Sequence, residues 1–96
     1  MASEGLLHMV TLRHTPETCP AARPDMREKC GARLGQFAGA MEARGGAVRG
    51  WWADTPGHLF YFLIEAPNAH VIGQVVSELE LSHWSTLEVR AVVQAG

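Results

Sequence analysis

An α+β domain of β-α-β-β-α-β order is predicted by three features of this 96-residue chain. Two segments carry apolar residues at helical spacing, two aromatic-rich segments meet at a tight-turn tetrapeptide between them, and a short apolar segment lies at each end. With 47% hydrophobic and 19% charged residues, the chain has the composition of a globular protein that buries a core.

The first strand is read over Leu6-Leu7-His8-Met9-Val10-Thr11-Leu12-Arg13, short, largely apolar and closed by a Thr-Pro pair. Pro16, Pro20 and Pro24 then remove backbone donors, so a rigid loop is expected from Thr15 to Pro24, with room for one helical turn at Thr15-Pro16-Glu17. Asp25, with Glu28 three residues later, has the form of a helix cap and predicts a helix starting at Met26. Met26, Cys30, Leu34, Phe37 and Met41 line one face of that helix, and Gly45-Gly46 ends it through a left-handed residue.

The segments Ala47 to Ala53 and His58 to Glu65 are rich in Val, Trp, Phe, Tyr and Ile and are joined by Asp54-Thr55-Pro56-Gly57, which predicts a hairpin. Pro67-Asn68 opens a second helix with Ile72, Val75, Val76 and Leu79 on one side, and Thr86 to Val93 forms the last strand. Right-handed crossovers fold this order into a ferredoxin-like, four-stranded antiparallel sheet with both helices on one face, a single domain spanning 1–96 with residues 1–5 outside the ordered part. The other face would be bare and greasy, so a second copy of the chain is expected to cover it.

The net charge is −2 and the eight Lys and Arg residues are scattered, which argues against a nucleic-acid partner. No apolar run is long enough to cross a membrane, and MASEGLLHMV lacks the basic start of a secretory signal, so a cytoplasmic location is expected. Cys19 and Cys30 are read as thiols, Cys30 as an inert core residue on the first helix.

Three stretches carry a resemblance: Leu7 to Pro16, Tyr61-Phe62-Leu63-Ile64-Glu65, and Leu79 to Val89. Together they resemble the pattern of dimeric α+β-barrel proteins; the last is similar to the end of muconolactone isomerases, the first to small uncharacterised members of the superfamily. The resemblance implies a homodimeric barrel with a small-molecule pocket beside each subunit's helices. It implies no cofactor in particular, and the superfamily spans isomerases, cyclases, cofactor-independent monooxygenases and haem-processing enzymes. The expected function is therefore binding of an aromatic or polyketide-like small molecule, with isomerase, cyclase or monooxygenase chemistry as the enzymatic form.

His14, His83 and Tyr61 are the candidate proton-handling residues, with His8, Trp52, Phe62, Glu65 and Trp84 as pocket walls. Which face of the second hairpin strand lines the pocket, that of Tyr61 and Glu65 or that of Phe60 and Phe62, is left open by alternation alone. His14-Thr15-Pro16-Glu17-Thr18-Cys19-Pro20 is the least ordinary stretch. An imidazole and a thiol suit Zn, Cu or Ni, with His83, His58 or a partner copy completing the set. The same residues also fit a thiol nucleophile with His14 as base, or a plain loop in which Thr15 caps, Pro16 starts a turn and Cys19 fills space.

Overall fold

The structure, a computed structural model, describes residues 6–19 and 23–96. Strand β1 spans Leu6–Arg13, β2 Ala47–Asp54, β3 Leu59–Ala66 and β4 Thr86–Val92; helix α1 spans Pro24–Gly35, α2 Phe37–Glu42 and α3 Ala69–Glu78. All strand pairings are antiparallel, and the strands lie in the order β2-β3-β1-β4, the ferredoxin-like arrangement. No described helix is long and apolar enough to cross a membrane.

Alternation along the strands decides the layers. Val10 and Leu12 on β1 and Phe62 and Ile64 on β3 point toward the helices, where they meet Cys30, Leu34, Phe37, Met41, Ile72, Val75 and Val76 in one buried cluster. Burying an aliphatic or aromatic side chain of this size contributes roughly 1.5–3 kcal/mol each before entropy is counted. The opposite side keeps Met9 at 41% and Trp52 at 55% exposed. Trp51 and Trp52 point to opposite faces: Trp51 stacks on Phe62 with ring centres 5.5 Å apart, whereas Trp52 lies on the bare face.

The first helical region differs from expectation in two ways. Pro24, assigned to the loop, is instead the first residue of α1, where its missing N–H costs nothing, and Asp25 sits in the first turn paired with Arg23 rather than capping. The helix is also not continuous, for it breaks at Gln36, whose N–H turns back to the Arg33 carbonyl at 3.1 Å. Gly31, Gly35 and Gly39 lie where an added Cβ would meet nothing within 4 Å, on the solvent side, and each weakens the helix by about 1 kcal/mol relative to alanine. The break lets Phe37 pack on Phe62, ring centres 4.9 Å apart.

The other boundaries follow their signals. Gly45 takes the left-handed conformation with φ 81°, and the Asn68 side chain accepts from the Val71 N–H at 3.1 Å to cap α3. The hairpin differs at one residue that matters below: β3 begins at Leu59, and His58 belongs to the turn.

Candidate metal centre

Antiparallel pairing sets up the site. Arg13, the last residue of β1, stands opposite Leu59, the first of β3, so the next residue on one strand and the preceding one on the other must meet. These are His14 and His58, and the His14 N–H donates to the His58 carbonyl at 3.0 Å.

His58 is held there with φ 56°, a left-handed conformation that costs a side chain free energy and is found more often at functional sites. The turn beneath it is closely built. The Asp54 carboxylate accepts from the Gly57 N–H at 3.0 Å, and the His58 N–H donates to the Thr55 carbonyl at 3.3 Å. A Cβ on Gly57 would fall 2.5 Å from an Asp54 oxygen, so a larger residue there would have to displace the carboxylate that caps the turn.

Cys19 arrives from the proline loop. Thr15 and Pro16 start a single 3-10 turn, Pro16–Thr18, and Cys19 ends it with its N–H on the Pro16 carbonyl at 3.4 Å. The Thr18 hydroxyl accepts from the Thr15 N–H at 3.2 Å and donates to the Trp84 carbonyl at 3.3 Å, which ties the loop to the segment before β4. The helical turn expected at Thr15-Pro16-Glu17 is present, shifted by one residue; Pro20 lies outside the described residues.

The outcome is a cluster of three donors. A nitrogen of His14, the sulfur of Cys19 and a nitrogen of His58 all lie within 4.8 Å of one another. Among the described residues no carboxylate oxygen joins them at that distance. His14 is 7% exposed and Cys19 2%. The Nδ1 atoms of His14 and His58 are buried and make no hydrogen bond, and leaving such an atom unsatisfied costs about 1–3 kcal/mol. Burial and the neighbouring His58 hold the His14 imidazole below its ordinary pKa, which favours the neutral form that coordinates. Phe60 and Trp84 wall the His14 ring at 5.4 and 5.9 Å between centres. His14 and Cys19 line a cavity of 170 Å³ that reaches Arg27, Asp54 and Thr55.

Three donors of this kind can close on one ion. With bonds of about 2.0 Å to nitrogen and about 2.3 Å to sulfur, a planar three-ligand site spaces its donors about 3.6 Å apart, a contraction of about 1 Å from the widest separation here.

Comparison with protein-family models, with curated proteins and with solved structures finds no match to this chain.

The other residues singled out from the sequence fall in several places. His83 lies exposed on the 3-10 turn Leu81–His83; with Trp84 it borders a separate cavity of 310 Å³ between α1 and the end of α3. It meets His14 only across a shallow surface depression and is not one of the three donors. Tyr61 is on the bare face, its hydroxyl 3.4 Å from an Asp54 oxygen, so His14, His83 and Tyr61 do not converge. Trp52 and Glu65 share that face, Glu65 paired with Arg49. Phe62 is in the core, and His8 is buried near the far end of β1 with an unpartnered Nδ1 of its own. Cys30 is fully buried, and burial pushes its thiol pKa up, as fits an inert core cysteine.

His58 is the member that the sequence underweights. Sequence alone makes it one of several completing groups; pairing the first and third strands in register singles it out, because that places residues 14 and 58 side by side.

Proposed function

We propose that this protein binds one transition-metal ion through His14, Cys19 and His58, with the cavity beside the first two holding a small molecule next to the ion. The observation that carries this reading is the meeting of a buried thiol, a buried imidazole and a half-buried one within 4.8 Å, both imidazoles with a buried, unpartnered Nδ1, brought together by the loop after β1 and the turn before β3. Nothing in packing alone requires two histidines at the end of a core, since buried polar atoms are normally paired. A left-handed His58 adds to the argument, because a glycine would occupy that position at lower cost.

Metal analysis of tag-free protein, followed by titration of stripped protein with Zn(II), Ni(II) and Cu(I), tests it. One ion per chain is expected, and Cys19→Ala should lose it; stripped protein that takes up none of the three ions defeats the reading.

The same cavity supports a second reading, that of a metal-independent small-molecule barrel in which neutral His14 takes a proton from a substrate against the Phe60 wall. Substrate turnover by stripped protein, lost in His14→Gln, would favour it over the first. In either reading a second copy of the chain covers the bare face, on which the apolar Met9 and Trp52 stand exposed. Sedimentation at micromolar concentration should show a dimer, with Trp52→Glu giving monomers.

A further inference from the structure

We propose that the ion this site is built for is Cu(I), held by His14, Cys19 and His58 alone as an electrically neutral unit. The inference rests on the metal-binding reading and adds the identity and charge of the ion. Two neutral imidazoles and one thiolate supply a total charge of −1, and a monovalent ion brings the sum to zero.

A divalent ion leaves +1 in a place poorly arranged to hold it. His14 and Cys19 are almost entirely buried, and the His14 ring is packed against Phe60 and Trp84. The two charged side chains lining the adjoining cavity, Arg27 and Asp54, carry opposite signs and add nothing to the balance. Among the described residues no carboxylate completes the donor set. Uncompensated charge is expensive in such surroundings, and divalent Zn or Ni would have to recruit an anion from solvent.

Donor chemistry points the same way. A thiolate suits both Cu(I) and Zn(II), but Zn(II) and Ni(II) favour four or more ligands and would leave a position to be filled from solvent, whereas three donors satisfy Cu(I). Loading is balanced without an electron donor: the Cys19 S–H bond breaks, its proton goes to solvent, and the sulfur bonds to copper that enters already reduced.

Anaerobic titration of the full chain against a chromophoric Cu(I) chelator, with a parallel Zn(II) competition and copper X-ray absorption, reads the outcome. Expected are one Cu(I) per chain with two nitrogen and one sulfur neighbours, held at least about 100-fold more tightly than Zn(II), the factor for a few kcal/mol of uncompensated charge. His58→Gly, which suits the left-handed backbone and should fold, should weaken Cu(I) by a similar factor, and Cys30→Ala should not change it. Zn(II) bound as tightly as Cu(I), or copper with a fourth, oxygen ligand, overturns the assignment while the metal reading stands. Uptake of no metal at all overturns both.

Discussion

The backbone N–H of His14 donates to the carbonyl of His58 at 3.0 Å, one step beyond the last paired residues of β1 and β3. That bond fixes the backbone positions from which the two imidazoles project before any ligand arrives. Preorganisation of this kind lowers the free-energy cost of binding, because the ordering is already present in the free protein.

Replacing His58 by glycine separates fold from site. The left-handed backbone at φ 56° suits glycine, so the lost imidazole should leave the melting temperature of the metal-free protein within about 4 °C while metal affinity collapses. Calorimetry and metal titration on the same sample check both halves. His58→Val, with a branched side chain in the same conformation, should destabilise the metal-free protein by about 1–2 kcal/mol.

The pH dependence of the metal-free protein follows from His14. Its folded pKa lies below the ordinary 6.5, for burial first and the neighbouring His58 second. The unfolded chain therefore takes up a proton more readily than the folded one. Stability from this group is fully present above about pH 6.5 and is lost as the pH falls from there through the lowered folded pKa. Urea melts between pH 7.5 and 5 should show a declining midpoint, and His14→Gln should flatten the slope.

The two cysteines should respond differently to alkylation. Cys30 is fully buried and its thiol pKa is raised, so it should react only on global unfolding. Cys19 lies beside a cavity, so modification of the native stripped protein should fall on Cys19 and be blocked by bound metal, as mass spectrometry of peptides would show.

Phe37→Ala should cost about 3–5 kcal/mol, because the ring is buried at the α1–α2 break against Phe62 and its removal leaves a cavity. Denaturant melts would measure it; a cost below 1 kcal/mol would mean that the break does not serve the core.

Much of this fold is written in local pattern. The first strand, Leu6 to Arg13, and the caps at Gly45 and Asn68 are legible because alternation, a positive-φ glycine and an asparagine side chain each act within a few residues. The break at Gln36 is not, since Met26 to Met41 keeps helical spacing throughout, and the Phe37–Phe62 contact beside the break joins elements far apart in sequence. The site shows the same division. His14 and Cys19 stand out because they share one proline-rich stretch, but choosing His58 over His83 depends on strand register, a long-range property.

The position of the donors beyond the ends of β1 and β3 gives an ion a mechanical role as well. Bridging residues 14, 19 and 58, it would act as a clasp on the two central strands, closing a loop of some 40 residues that the unfolded chain leaves open. Amides at that margin, such as those of Arg13 and Leu59, would then exchange with deuterium more slowly in loaded protein, while the opposite margin near Leu6 and Ala66 would be indifferent to the ion.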